Sequence, residues 1–202
     1  CYDLASAYGL PFISGKDSLN NEFALDPADV EMVRTAAALL DDAAPHADRI
    51  IMEGRVAIPC TLLISALSIV DDVRYCTTSD LKSGGTHIFL VGRPMQLSDS
   101  PAGLPPFDAA TALRTHMSVA RMIRDGVALA VHDASDGGPL TALAEMCFGG
   151  WRACTLHAGS LPPEHHFTEA PAMYLVQVSD ARIGDFERIT TEIETRHYAT
   201  VK

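Results

Sequence analysis

The order of apolar segments constrains the fold of this 202-residue chain more than any other feature. Short runs that fit buried β-strands alternate with longer segments in which apolar residues recur at helical spacing. Strands are predicted at 11–13, 56–70, 86–91, 127–131 and 173–178, and helices at 2–9, 26–45, 108–125, 140–148 and 181–195. Strands and helices that mix along the whole chain predict an α+β or α/β fold.

Composition excludes several classes of protein. Apolar residues make up 48% of the chain, which is enough to fill a core and argues against disorder. The formal net charge of −11 argues against a nucleic-acid binder driven by phosphate attraction. It leaves open a site that handles phosphates through a metal ion.

The cysteines and the apolar runs indicate where such a chain works. None of the five cysteines forms a Cys-x-x-Cys pair, so a structural zinc site is not expected. Free cysteines favour a reducing compartment, and no apolar stretch reaches the length of a membrane span. We therefore expect a cytoplasmic protein without membrane or nucleic-acid partners.

The first residues predict the end of a domain rather than its beginning. A helix at 2–9 is followed by a short buried strand, Pro11 to Ile13, and then by a polar loop. A single strand is not stable without partner strands. We therefore expect upstream segments that complete this unit, and an apolar surface that promotes self-association where they are missing.

The densest chemical signal is His132-Asp133-Ala134-Ser135-Asp136-Gly137-Gly138-Pro139, between a predicted strand and a predicted helix. Glycines at such a turn let the backbone approach a ligand, and a helix N-terminus favours phosphate. Mg²⁺ reconciles the carboxylates with a phosphate, because its usual ligands are one or two carboxylates plus phosphate oxygens. An equally simple reading is a helix cap, in which Asp136 or Ser135 accepts from the first helical N–H groups.

A second polar turn, Lys16-Asp17-Ser18, follows the predicted strand at 11–13. Its side chains suit a phosphate and a metal, although an ordinary solvated turn explains the same residues. Histidines give weaker signals. His165 and His166 more often face solvent than bind a metal at such spacing, and His87 and His116 read as isolated residues.

Three segments resemble one family. PFISGKDSLNNEF (11–23), IPCTLLISALSIVDDVR (58–74) and VHDASDGGPLTALAEMCFGG (131–150) are similar to PurL-type phosphoribosylformylglycinamidine synthases of the AIR synthase-related superfamily. The third segment is shared more loosely with other superfamily members, including selenophosphate synthetase and HypE.

The resemblance implies a domain organisation. Residues 1–23 would be the last helix and strand of an AIR synthase-like N-terminal domain, and 24–57 a connector or insertion. Residues 58–202 would form the α+β C-terminal domain of the second half of the synthase.

The resemblance also implies a reaction. The family converts formylglycinamide ribonucleotide, ATP and ammonia from glutamine to formylglycinamidine ribonucleotide, with a glutaminase domain or subunit as partner. Asp133 would bind Mg²⁺ at the nucleotide phosphates. The positions that would contact nucleotide or substrate are Lys16, Asp17, Ser18, Asp136, Gly137 and Gly138. Two alternatives stay open: a non-catalytic half that holds an auxiliary nucleotide, and another ATP-dependent enzyme of the superfamily.

Overall fold

The computed structural model describes residues 1–15, 21–39, 44–57, 61–94 and 107–202. Its helices are α1 (Tyr2–Tyr8), α2 (Pro27–Ala37), α3 (Ala44–Glu53), α4 (Ala109–Arg124), α5 (Gly138–Gly150) and α6 (Ile183–Ile189). Its strands are β1 (Glu22–Ala24), β2 (Arg55–Ala57), β3 (His87–Val91), β4 (Ala130–Asp133), β5 (Cys154–Leu156), β6 (Tyr174–Val178) and β7 (Thr195–Val201). The predicted α+β class is confirmed.

The chain divides into two compact units. One comprises Cys1–Pro11 with Val70–Lys202, and the other comprises Phe12–Ile69. The larger unit contains a five-stranded sheet in the order β4-β6-β3-β7-β5, in which every neighbouring pair is antiparallel. Because β3 and β4 both run antiparallel to β6, their last residues lie at the same end of the sheet, where β6 begins.

Apolar side chains form a separate core on each face of this sheet. On one face, α5 packs its buried residues Ala142, Leu143 and Met146 against Ile88 and Leu90 of β3. The core on the other face combines side chains of α4, α6 and the sheet, namely Val91, Val119, Met122, Val176, Val178, Phe186 and Ile189. The sheet is therefore the middle layer of the unit, and its strands have apolar side chains on both faces.

One polar side chain is completely buried in the sheet. Gln177 of β6 accepts from the backbone N–H of Lys82 over 3.0 Å and donates to Thr86 Oγ1 over 2.7 Å. Its amide also donates to the Ser83 carbonyl oxygen. These bonds use the donors and the acceptor of the amide, so its burial is compensated and the 82–86 turn is fixed to the sheet.

The smaller unit has little buried surface. Its strands β1 and β2 pair antiparallel, and Arg55 forms an ion pair with Glu22 across them at 2.9 Å. Asp26 caps α2 by accepting from two backbone N–H groups, as the sequence predicts. Residues 12–15 and 62–65 line an open cavity of about 530 Å³.

Two predicted strands of this unit are wrong. Residues 11–13 adopt no regular structure, and Phe12 and Ile13 are exposed rather than buried. In the predicted strand 56–70, β2 ends at Ala57, 58–60 lie outside the described residues, and 61–70 form neither helix nor strand. Within the described ranges no strand pairs with 61–70, so the ladder that would stabilise it is missing.

Two predicted helices have the wrong length. The helix predicted at 26–45 corresponds to α2, which ends at Ala37; the separate α3, which extends to Glu53, was not predicted and has Pro45 in its first turn. Proline is unfavourable within a helix and common at its start, which accounts for a second helix here. The helix predicted at 181–195 ends at Ile189 and is followed by β7, which the sequence analysis did not predict, nor did it predict the short β5.

The remaining predicted elements of the larger unit are confirmed with small shifts at their ends. Most of the proline-containing stretch 94–107 lies outside the described residues. Among the helices described, none is both long enough and apolar enough to cross a membrane.

Candidate functional site

The loop between β4 and α5 lies at the end of the sheet where β4 ends and β6 begins. Asp133, the last residue of β4, pairs with Tyr174, the first residue of β6. The backbone N–H of Ala134 donates to the Met173 carbonyl oxygen over 2.8 Å. The motif 132–139 therefore lies between a strand and a helix, as its sequence predicts.

Both glycines of this loop have backbone conformations that suit glycine. Gly137 and Gly138 have φ of 77° and 73°. A Cβ at Gly138 would lie 2.6 Å from the carbonyl carbon of Phe167, and a Cβ at Gly137 would lie 2.6 Å from Thr141 Oγ1. The glycines therefore allow the loop to pack closely against residues 167–168 and against Thr141 of α5.

The capping interpretation of the motif is wrong in its details. The N-cap position of α5 is Gly137, which has no side chain, and neither Asp136 nor Ser135 caps the helix. The carboxylate of Glu169 accepts from the backbone N–H of Gly137 over 3.0 Å instead. Asp136 is exposed, and its carboxylate makes no capping hydrogen bond to α5.

Asp133 presents an exposed carboxylate next to a histidine. Its side chain is 64% exposed, and Oδ1 lies 3.4 Å from Nδ1 of His132. On the other side of the ring, Nε2 of His132 lies 2.9 Å from Oε2 of Glu145. His132 thus sits between the loop and α5, and Asp133 is directed to the surface, where it is accessible to a cation.

A row of polar side chains extends from Asp133 into the unit. Tyr174 Oη lies 2.7 Å from Nδ1 of His116 on α4, and Tyr8 Oη of α1 lies 3.5 Å from Nε2 of the same ring. Burial raises the pKa of Tyr174, and the charge of Asp133 raises it further. Burial also lowers the pKa of His116. The neutral forms of both groups are therefore favoured.

A cavity of about 300 Å³ opens near the same end of the sheet, beside residues that follow β3 and precede β6. Its polar lining includes Arg93 after β3 and Asp108 at the start of α4. The other side chains that line it are Phe107, Thr111, Ala112, Thr115, Pro171 and Ala172. This volume lies at the lower end of the range for small-molecule sites.

The described residues do not form a closed metal cage. Within the described ranges, no group of three or more His, Cys, Asp or Glu side chains is arranged to hold a metal ion. Mg²⁺ does not require such a cage, because it binds through one or two carboxylates together with substrate phosphates and water. The exposed oxygen donors of Asp133 fit this requirement.

Lys16, Asp17 and Ser18 lie outside the described residues, so their proposed role stays a prediction. The structure adds Glu145 beside His132 and the contact of Glu169 with Gly137. From the sequence, Glu169 belongs only to a weak metal signal with Glu164, His165 and His166. Glu145 follows Gly138 by about two helical turns, so the two residues lie on the same face of α5. This spacing can be read from the sequence. Glu169 comes from a distant loop, and no local pattern connects it with Gly137.

No protein-family model matches the chain. A curated relative, phosphoribosylformylglycinamidine synthase subunit PurL of Bradyrhizobium sp. (strain ORS 278), is 34% identical over 145 residues, which are 65% of this chain and 20% of that protein. PurL of Zymomonas mobilis is 29% identical over 210 residues, 90% of this chain and 29% of that protein. The chain resembles a segment of PurL-type synthases. It spans about a fifth of the length of the first of these relatives.

Solved structures agree with the PurL-type assignment at the level of fold. PurLQS from Thermotoga maritima has a TM-score of 0.57 at 16% identity and covers 64% of this chain and 24% of its own. Thermotoga maritima PurL complexed with ATP has a TM-score of 0.55 at 17% identity, with coverage of 63% and 23%. The hydrogenase maturation protein HypE has a TM-score of 0.51 at 16% identity, with coverage of 66% and 48%. The predicted AIR synthase-related fold is thereby confirmed.

Proposed function

We propose that this chain is part of an ATP-dependent phosphoribosylformylglycinamidine synthase, a ligase of purine biosynthesis. The complete enzyme would convert formylglycinamide ribonucleotide, ATP and glutamine-derived ammonia to formylglycinamidine ribonucleotide, ADP and phosphate. The similarity to curated synthase subunits carries this proposal, because identities of 34–36% extend over 141–145 residues. Related solved structures are described as complexes of PurL with ATP and with FGAR.

The β4–α5 loop would contribute to the nucleotide site. Asp133 would provide one carboxylate ligand to Mg²⁺, and the ion would neutralise phosphate charge when bound. Gly137 and Gly138 let the loop turn tightly into α5, and Glu169 holds the N–H of Gly137 in place. Asp136, in the same loop, does not cap α5, and its side chain is exposed. The chain's own part is therefore to position phosphate and metal rather than to act as an acid or base.

The other site residues and the domain boundaries belong to the proposal. Lys16, Asp17 and Ser18 would contact phosphate from the loop after 11–15. The boundaries at 23 and 57 divide the family's N-terminal domain, a connector and the C-terminal domain. The proposed partners are upstream synthase domains, a glutaminase domain or subunit, and a second copy of the chain where apolar surface is left open. The free Cys1, Cys76, Cys147 and Cys154 support a reducing compartment such as the cytoplasm.

A second candidate is a non-catalytic half that binds an auxiliary nucleotide. The exposed carboxylate of Asp133 beside His132 would hold a nucleotide-bound Mg²⁺ in this candidate as well. Both candidates require the nucleotide at the β4–α5 loop. They differ in whether the chemistry depends on Asp133.

Complementation tests these proposals. The gene that encodes this chain is placed in a purine auxotroph lacking the synthase, as wild type, as Asp133→Ala and as Asp48→Ala, an exposed aspartate of α3 as control. We expect growth with wild type and Asp48→Ala and none with Asp133→Ala. Growth with all three would keep the synthase assignment and remove Asp133 from the essential site. Absence of growth with an expressed wild type would contradict the synthase proposal.

A further inference from the structure

Two histidines meet on the face of the sheet at the end opposite to the β4–α5 loop. His87 is the first residue of β3, and His197 lies on the adjacent strand β7. Nδ1 of His87 is 2.9 Å from Nε2 of His197. From the sequence, His87 is predicted to be an isolated residue, and 110 residues separate it from this partner.

A β-bulge produces this meeting. Along β3 the register pairs Ile88 with Ala199 but Phe89 with His197, so Tyr198 is the extra residue on β7. The bulge turns Tyr198 into the core and brings His197 to the face that carries His87 and Phe89. Bulges commonly redirect a side chain in this way next to functional sites.

Hydrogen bonds define which ring nitrogens are available. Nε2 of His87 lies 2.6 Å from Oδ1 of Asp180, an acceptor, so this nitrogen carries the proton. In the neutral ring Nδ1 of His87 then presents a lone pair to Nε2 of His197. Metal-binding histidines commonly donate their other ring N–H to a carboxylate in this way, which fixes the ring and its tautomer.

Other rings hold His197 in place. The His157 ring lies 4.2 Å from the His197 ring between centroids, and its Nε2 is 2.9 Å from Thr200 Oγ1. Phe89 stacks against His197 at 5.0 Å. These contacts fix the ring of His197 beside His87.

We propose that Nδ1 of His87 and Nε2 of His197 chelate a divalent transition-metal ion such as Zn²⁺, with Asp180 orienting His87. Tetrahedral Zn²⁺ with Zn–N bonds of about 2.0–2.1 Å places two nitrogen ligands about 3.3 Å apart. Nε2 of His197 donates to Nδ1 of His87 over 2.9 Å, so the ion replaces this hydrogen bond. Binding requires the proton to leave Nε2 of His197 and both rings to turn their lone pairs towards the ion. Water completes the coordination, because the protein supplies two ligands. The site is independent of the proposed synthase activity.

Calorimetric titration of the 202-residue chain with ZnCl₂, and in parallel with MgCl₂, tests the site. We expect one saturable Zn²⁺ per chain at this site and no comparable Mg²⁺ binding, since imidazole nitrogen is not a preferred ligand of Mg²⁺. His87→Gln and His197→Gln remove this binding, and Asp180→Asn weakens it about 10-fold. His46→Gln, an exposed histidine of α3, is the control and retains it.

Ring-nitrogen NMR of the wild type locates the ion independently of any variant. Zn²⁺ is expected to shift Nδ1 of His87 and Nε2 of His197 before the other histidine nitrogens. Binding that persists in both histidine variants would place the ion elsewhere, for instance on the exposed thiols of Cys1 and Cys76, and would overturn the proposal. Absence of saturable Zn²⁺ binding, or shifts confined to other histidines, would overturn it as well.

Discussion

Two apolar segments of this chain have opposite environments. In β3, Ile88, Leu90 and Val91 are completely buried. In the segment 61–70, Leu63, Leu67 and Ile69 are 88–89% exposed. Both segments are rich in branched apolar residues and both are predicted as buried strands, so composition does not explain the difference.

The difference lies in the neighbours of each segment. β3 pairs with β6 on one side and β7 on the other, and helices cover both faces of the sheet. Segment 61–70 has no partner strand among the described residues. An apolar run therefore indicates what a segment is suited to, while pairing partners decide whether it becomes a strand.

Truncation of one leucine in each segment gives the largest expected contrast. Leu90→Ala removes a fully buried side chain from the core under α5, and we expect a loss of about 2–5 kcal/mol in the free energy of unfolding. Leu67→Ala, at an exposed position, is expected to change it by less than about 0.5 kcal/mol. Urea unfolding monitored by circular dichroism measures both.

The opposite result would be informative. A loss of several kcal/mol with Leu67→Ala would mean that this segment is covered in solution. Light scattering on the same samples would then distinguish coverage by a second copy from coverage within the chain. A small effect of Leu90→Ala would contradict the packing of β3 described above.

Sequence patterns predicted the larger unit better than the smaller one, for a physical reason. In the larger unit, β3, α4, α5 and β6 have their partners within the described chain, so local patterns and final structure agree. The prediction of a strand at 11–13 was wrong, because strand formation depends on long-range pairing that no local pattern shows. β7 was missed although Thr195, Tyr198 and Thr200 are typical strand residues, because the predicted helix 181–195 included its first residue and 196–201 were left unassigned.

The candidate site was predictable to the extent that it is local. The position of Asp133 at a strand end and of Gly137 and Gly138 at a helix start follows from adjacent residues. The cap from Glu169 and the contact of Tyr174 with His116 join elements far apart in sequence. The meeting of His87 and His197 depends in addition on a bulge, which a strand pattern does not specify.

A backbone comparison sharpens the contrast between packed and open environments. Gly138 and Gly159 have similar φ, 73° and 76°, but only Gly138 has atoms near its would-be Cβ. An alanine in this left-handed region costs about 1–2 kcal/mol. We expect that cost alone for Gly159→Ala. For Gly138→Ala we expect about 1–3 kcal/mol more, because the methyl group collides with the 167–168 backbone. Chemical denaturation measures both, and equal losses would show that the loop yields without cost.

The smallest expected effect concerns a half-buried histidine. Burial lowers the pKa of His116 below the value of about 6.5 expected for the unfolded chain. Between these two pKa values the unfolded state binds more protons, so stability rises with pH and falls as pH drops through about 6.5. The slope is at most about 1.4 kcal/mol per pH unit for one such group.

We therefore expect His116→Gln to unfold with a weaker dependence on pH between about 7.5 and 5.5 than the wild type. Loss of the contact with Tyr174 lowers stability at every pH, so the slope and not the absolute value is diagnostic. Some slope remains in the variant, because the pKa of His197 is lowered too. The aspartates with lowered pKa values, such as Asp80 and Asp108, lose their contribution only as pH falls below about 4, outside this window. Parallel curves for wild type and variant would mean that His116 has the same pKa in the folded and the unfolded chain. That result would contradict its half-buried position on α4 between Tyr8 and Tyr174.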